Sequence, residues 1–185
     1  MALKNTNDAW GGVAKFLHWL VVLLVIAQFV LASMADDLAP GLQKLALLAR
    51  HKSFGVTIFA IALVRVVWRF ANPTPELPAT MKGYERLLAR GTHLLLYLVL
   101  LVMPLSGWLM SSAKGYSVSW FGLVQLPDLV GRDDGVFDAM HELHESLAYA
   151  LVAIATLHLL AALKHHFVNR DNILRRMLPF VRPGS

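Results

Sequence analysis

The histidines are the residues of this chain whose type and number are best suited to chemistry. The chain has eight histidines and no cysteine among its 185 residues. Imidazole is therefore its main candidate metal ligand and its main candidate proton carrier. Without cysteine, thioether attachment of a cofactor, thiolate-ligated iron–sulfur clusters and disulfides are excluded.

His144 and His158 have the most informative spacing. Fourteen residues separate them, and this number turns an α-helix through nearly four complete turns. On one helix the two side chains would point to the same side, about 21 Å apart along the axis. Such a helix would present one imidazole near each side of a membrane.

Four long apolar segments have to position these histidines, in a chain with 57% hydrophobic residues and a mean hydropathy of +0.55. Each segment has close to the ~20 residues that cross a bilayer core. The segments are Phe16–Met34, Lys52–Phe70, Thr92–Ser112 and Leu143–Leu163. Because backbone groups in lipid need internal hydrogen-bond partners, the segments are predicted to be helices. We expect an all-α, four-helix transmembrane bundle that forms a single integral membrane domain over residues 1–185.

The connections between these segments are rich in turn-forming residues. Ala35–Gly41 is predicted to be a short loop, and the prolines of Asn72–Pro78 are predicted to stop the second helix. Lys114–Asp138 is the longest connection, and a short surface helix is predicted around Phe137–His141.

The lysines and arginines predict the orientation in the membrane. With a cytoplasmic N-terminus, the inner segments hold Lys4, Lys15, Arg65, Arg69, Lys82, Arg86, Arg90, Lys164, Arg170, Arg175, Arg176 and Arg182. The outer segments then hold only Lys44, Arg50, Lys52, Lys114 and Arg132. This bias predicts a multi-pass membrane protein with both termini cytoplasmic. It also accounts for the net charge of +5 without nucleic acid, which we exclude as a partner.

With this topology, each histidine of the fourth segment has a counterpart at its own depth. His51 matches His144 near the outer side, and His18 matches His158 near the inner side. Two bis-imidazole sites stacked across a bilayer are suited to two b haems and to transmembrane electron transfer. His93, at the inner start of the third segment, is an alternative to His18 as the inner ligand.

Small and peripheral residues have two interpretations each. Gly55 and the Ser106-Gly107 pair could give a cofactor ring access to the backbone, or could only allow close helix packing. His141 is interpreted as a solvated loop residue. His165 and His166 are expected at the cytoplasmic interface.

Several motifs in a fixed order resemble the bacterial cytochrome b561 family. They are Phe16-Leu17-His18-Trp19-Leu20, His51, Arg65 and Arg69 before Asn72-Pro73-Thr74-Pro75, His93-Leu94-Leu95-Leu96-Tyr97, Pro104-Leu105-Ser106-Gly107, His144-Glu145-Ser146-Leu147, His158, and Lys164-His165-His166-Phe167. The resemblance covers almost the whole chain, from about Val13 to Met177.

The resemblance implies a four-helix bundle with two b haems in the bacterial inner membrane. It implies His18 and His158 as ligands of the inner haem iron, and His51 and His144 as ligands of the outer one. It further implies superoxide oxidation at the periplasmic face and reduction of ubiquinone. A related type of di-haem subunit instead passes electrons between a partner dehydrogenase or hydrogenase and quinone, although no docking segment for such a partner is evident here.

Further residues have hypothetical roles in this chemistry. Lys44, Arg50 and Lys52 lie beside His51 and could concentrate an anionic electron donor, bind haem propionates or anchor the chain at the interface. His93, Arg90 and Lys82 lie near the inner side and could bind or protonate a quinone. The competing functions are a histidine-relay proton channel or transporter and a purely structural anchor.

Overall fold

Four long helices make up most of the computed structural model, which describes residues 2–179 and 181. They are α1 (Gly12–Asp36), α2 (Leu42–Ala71), α3 (Gly83–Ala113) and α4 (Asp134–Lys164). Each is long and apolar enough to cross a membrane. The four predicted spans are therefore confirmed as helices, and every helix extends beyond both predicted ends because backbone hydrogen bonding continues into its polar turns.

The start of α4 corrects two predictions. Its N-cap is Asp133, whose side chain accepts a hydrogen bond from the Val136 amide at 3.0 Å. The separate short helix predicted around Phe137–His141 is therefore wrong, because these residues belong to α4. His144 lies ten residues after Asp134 instead of at the start of its helix.

The first and last described residues lie at the same end of the bundle, which we call the terminal end. After α4, a short π-helix (His165–Asn169) and α5 (Ile173–Met177) fold back towards α1. The buried Lys15 ammonium donates to the Leu178 carbonyl at 3.0 Å, and Trp19 Nε1 donates to the Met177 carbonyl at 3.0 Å. Arg182, which was counted for orientation, lies outside the described residues.

A small hairpin that the sequence did not predict lies at the opposite end, which we call the hairpin end. Its strands are β1 (Ser119–Trp120) and β2 (Val124–Gln125), which pair antiparallel. Trp120 Nε1 donates to Thr57 Oγ1 and the Phe121 amide donates to Ser53 Oγ, both at 3.0 Å. These bonds fasten the hairpin to α2.

The exposure pattern of the helices is the inverse of that of a soluble protein. Large apolar side chains such as Val67, Leu94 and Leu157 are exposed, at 66%, 60% and 64%. Small polar residues such as Ser53 and Ser106 are buried. This pattern is expected when lipid covers the outer faces and small residues allow helices to approach closely.

The helices do not pack equally closely against one another. Close backbone packing joins α1 with α2, α2 with α3, and α3 with α4. Among the described residues, α4 has no comparable packing against α1 or α2. The backbone of α4 therefore stays further from α1 and α2 than from α3, and the paired histidines face each other across this separation.

Candidate metal centres

Two histidine pairs face each other across the separation between α4 and helices α1 and α2. At the hairpin end, the ring centroids of His51 and His144 are 6.2 Å apart. At the terminal end, those of His18 and His158 are 6.3 Å apart. Two imidazoles that bind one metal from opposite sides, with metal–nitrogen bonds of about 2.0 Å, have centroids roughly 6 Å apart. Both spacings fit an iron between the rings.

The surroundings of His144 determine which of its nitrogens can bind a metal. Its Nδ1 lies 3.0 Å from the Met103 carbonyl oxygen, which can only accept a hydrogen bond. Nδ1 therefore carries the proton, and Nε2 keeps the lone pair that a metal needs. Ser106 Oγ donates to the same carbonyl at 2.7 Å and lies 3.1 Å from Nδ1. This arrangement is typical of metal-binding histidines, whose second nitrogen is held by a hydrogen bond.

Two glycines make room for side chains of the protein itself. A β-carbon at position 107 would lie 3.1 Å from His144 Cε1, so Gly107 allows the imidazole to reach helix α3. A β-carbon at position 55 would lie 3.2 Å from Gln28 Nε2, so the space beside Gly55 is taken by this amide. In the structure, the close neighbours of both glycines are thus side chains of other helices.

Three histidines, not two, meet at the terminal end. The His93 ring centroid is 5.3 Å from that of His158, closer than the His18 ring. The centroid distance between His18 and His158 nevertheless agrees within 0.1 Å with that of the hairpin-end pair, whereas the distance between His93 and His158 is shorter. Equal spacing favours His18 as the ligand and leaves His93 beside the site.

Arginines contribute more to the terminal-end site than the sequence suggested. Arg65 Nη2 lies 3.4 Å from His18 Nδ1. The guanidinium groups of Arg65 and Arg69 lie 5.7 and 5.9 Å from the centre of the Tyr97 ring. The charge count assigned these arginines only to the inner side, although an arginine inside an apolar span is in itself a signal of function.

The other two residues of the predicted quinone site, Lys82 and Arg90, are both exposed. Lys82 immediately precedes α3, and Arg90 lies within this helix. The Lys82 ammonium lies 5.9 Å from the centre of the Tyr84 ring. Within the described part of the chain, neither residue forms a hydrogen bond or an ion pair with His93, although Arg90 lies one turn before it on α3. Of the predicted quinone site, only His93 lies beside the paired histidines.

The three cations of the predicted anion site fall into two groups. Lys44 and Lys52 line one groove of about 390 Å³, together with Tyr116 and two serine hydroxyls. Arg50 instead lines a different groove, which also contains Asp37. Two of the three cations therefore share a surface next to His51.

The remaining histidines divide into exposed and buried ones. His141 is exposed, as predicted, but it lies on α4 with its ring 5.9 Å from that of Phe137. His165 is buried, and its Nδ1 lies 2.5 Å from Asp171 Oδ2, just after the end of α4. The π-helix turns its side chain inward towards Asp171. His166 is partly exposed and packs against Phe167.

A family model described as prokaryotic cytochrome b561 matches residues 9–180 of the chain. The chain belongs to the prokaryotic cytochrome b561 family. It is 33% identical over 187 residues to cytochrome b561 homolog 2 of Escherichia coli (strain K12), which covers 96% of this chain and 95% of that protein. It is 31% identical to the probable superoxide oxidase CybB of Yersinia pestis, over 88% of this chain and 92% of that protein. It is 25% identical to cytochrome b561 homolog 1 of Escherichia coli (strain K12), over 89% and 93%.

The predicted family is therefore confirmed, and so is the predicted class of protein. This cytochrome is an integral membrane protein that binds b-type haem and transfers electrons. The residues available fit this cofactor, because b-type haem needs no cysteine thioether bonds and can be held by axial histidines. His18, His51, His144 and His158 are the candidates to hold it, by their spacing and by the hydrogen bonding of His144.

Proposed function

We propose that this cytochrome oxidises superoxide at the hairpin end and reduces ubiquinone at the terminal end, using two b haems. His51 and His144 would hold one haem, and His18 and His158 the other. The observation that carries the proposal is the equal spacing of the two histidine pairs, 6.2 and 6.3 Å, at two levels of α4. The resemblance to a protein named probable superoxide oxidase supports the choice of donor.

The bound haems would supply the one-electron chemistry, and the chain supplies the positions at which it takes place. Since α4 contributes a ligand to each pair, the two levels are about 21 Å apart along this rigid helix. Met103 and Ser106 hold the imidazole of His144 in one orientation. The chain thus keeps the proposed site of superoxide oxidation and the proposed site of quinone reduction at opposite ends of the bundle.

The hairpin end has features suited to an anionic donor. Lys52 directly follows His51, and its ammonium lies 5.5 Å from the centre of the Tyr116 ring. With Lys44 in the same groove, two positive charges face one concave surface, and such surfaces raise the local concentration of anions. Superoxide is a small anion, so this surface would draw it towards the His51 level. Arg50 shares its groove with Asp37 and would contribute less.

The terminal end has features suited to a quinone. His93 lies beside His158, Arg65 lies beside His18, and the Tyr97 ring lies beside Arg65. These groups can donate hydrogen bonds to quinone oxygens, and His93 can deliver a proton. Two superoxide ions release two electrons and become two oxygen molecules, and the quinone takes up two electrons and two protons to become quinol. The charge bias favours a cytoplasmic terminal end, where these protons would be taken up.

Superoxide should reduce the purified, haem-loaded cytochrome within the dead time or first seconds of a stopped-flow experiment, and added ubiquinone should reoxidise it. The absorbance of the reduced b-type bands measures both steps. Superoxide dismutase is the control, since it should abolish the reduction. If dithionite reduces the haems and superoxide does not, this donor is wrong.

Replacing both groove lysines, in a Lys44→Gln/Lys52→Gln double variant, should slow reduction by superoxide about tenfold at low ionic strength and weaken its salt dependence. The reason is the loss of two charges from the surface nearest His51. Lys114→Gln is the matched control, because Lys114 lies at the same end but is paired with Asp134 at 2.9 Å. Equal rates in the double variant and the control would show that the groove does not guide the donor.

A further inference from the structure

Two buried polar atoms without partners lie on neighbouring residues at the hairpin end. They are Oε1 of Gln28, on α1, and Nδ1 of His51, on α2. Within residues 2–179 and 181, neither atom has a hydrogen-bond partner. One is an acceptor, and the other can carry a proton. A buried polar group without a partner costs free energy and requires an explanation.

The amide of Gln28 is held against the residue that it faces. Its Nε2 donates to the backbone carbonyl of His51 at 3.0 Å. Because a carbonyl can only accept, this bond fixes the nitrogen side of the amide, and Oε1 must lie on the other side. Gly55 gives the amide its place one turn along α2, where a β-carbon would lie 3.2 Å from Nε2.

The second histidine of the pair indicates what these two atoms do. His144 keeps Nε2 free for a metal because its Nδ1 proton is donated to the Met103 carbonyl. His51, if it binds iron through Nε2, needs an acceptor for its own Nδ1 proton in the same way. Gln28 Oε1 is a buried acceptor with no other partner in the described residues, and it belongs to the residue already bonded to His51.

We propose that Gln28 is the positioning residue of His51: its Oε1 accepts the Nδ1 proton of His51 and so orients the imidazole for iron. The proposal rests on the proposed ligation by His51. In the haem-loaded protein, rotation of the His51 ring brings the two unpartnered atoms together. Each ligand of the hairpin-end haem then has an oxygen acceptor behind it, the Met103 carbonyl for His144 and the Gln28 amide for His51.

This role predicts an effect on one haem only. A hydrogen bond from Nδ1 makes the imidazole a stronger electron donor to iron, which favours the oxidised state. Gln28→Leu removes the acceptor and keeps the approximate volume, so the midpoint potential of the hairpin-end haem should rise. Gln28→Glu keeps an acceptor oxygen, so this potential should stay at or below that of the unmodified protein.

The experiment is a redox titration of the haem-loaded protein, with electron paramagnetic resonance of the oxidised haems and a pyridine haemochrome count. The terminal-end haem is an internal control whose potential and spectrum should not change. Gln43→Leu, the same change at an exposed position of α2, should change neither haem. If Gln28→Leu yields no folded protein, Gln28→Glu and Gln28→Asn decide, the shorter Asn side chain being expected to raise the potential.

Three results would overturn the proposal. Unchanged potentials and spectra in Gln28→Leu would show that the amide does not act on His51. Equal changes in both haems would show a general structural role, and an equal rise in Gln28→Glu would show that the acceptor is irrelevant. The proposed ligation is tested separately, because a His51→Ala variant that retains two haems would refute the ligand and not merely its positioning.

Discussion

His144→Ala is expected to bind about one haem per chain instead of two, and the haem lost should be the one at the hairpin end. The imidazole of His144 has its Nδ1 proton bound to the Met103 carbonyl, so the variant loses a ligand that is already oriented for metal binding. Axial ligands hold b-type haem without any covalent bond to the porphyrin, so loss of one ligand should greatly weaken binding. Pyridine haemochrome quantification gives the number of haems, and the reduced spectrum shows which band disappears.

Replacing the terminal-end histidine of α4 should have the complementary effect on haem content. His158→Ala should lose the terminal-end haem and keep the other, so each variant should retain the spectral component that the other lacks. His141→Ala is the matched control, because this histidine is on the same helix, three residues from His144, and exposed. Two haems retained in either His144→Ala or His158→Ala would refute the proposed pairing.

The second prediction with a large effect compares His18 and His93, the two candidate partners of His158. His18→Ala should lose the terminal-end haem, whereas His93→Ala should retain two haems but reoxidise with ubiquinone at least tenfold more slowly. The centroid of His18 lies 6.3 Å from that of His158, a spacing suited to an iron between them, and that of His93 lies at 5.3 Å. A positioned general acid contributes roughly 10²–10⁴-fold to rates of proton transfer, which sets the scale for the loss in His93→Ala.

Haem content and reoxidation by ubiquinone have to be measured on the same preparations. Haem reduction by superoxide should be unaffected in His93→Ala, since the donor is proposed to react at the other end. Arg90→Gln is a suitable control, because Arg90 is on the same helix, one turn away, and exposed. If His93→Ala loses a haem and His18→Ala does not, His93 is the ligand and the quinone site must be sought elsewhere.

The terminal-end site combines cations and histidines in a way that suits an acceptor of electrons. Arg65 lies against His18, and Arg65 and Arg69 both lie over the Tyr97 ring. Positive charge near a haem stabilises its reduced form, because reduction adds a negative charge. At the hairpin end, the hydrogen bond from His144 to a backbone carbonyl would instead stabilise the oxidised form of a haem that His144 binds. If the two haems lie where we propose, both effects favour electron flow from the hairpin end to the terminal end.

The four helices and the register of their histidines could be predicted from the amino-acid sequence. Length and hydropathy are properties of one segment at a time, and lipid leaves a spanning segment few alternatives to a helix. The common face of His144 and His158 also follows from helical periodicity alone. The ends of the helices could not be located in this way, because α4 begins at Asp134 in a polar stretch that hydropathy assigns to a loop.

The partners of the histidines depend on contacts between segments far apart in the chain. Met103 acts through its backbone carbonyl, which no sequence pattern distinguishes, and Gln28 approaches His51 only because Gly55 leaves space for it. The hairpin is held by hydrogen bonds to Ser53 and Thr57 of another helix. Periodicity along one helix determines the direction of a side chain, but the groups it meets are determined by the packing of helices against each other.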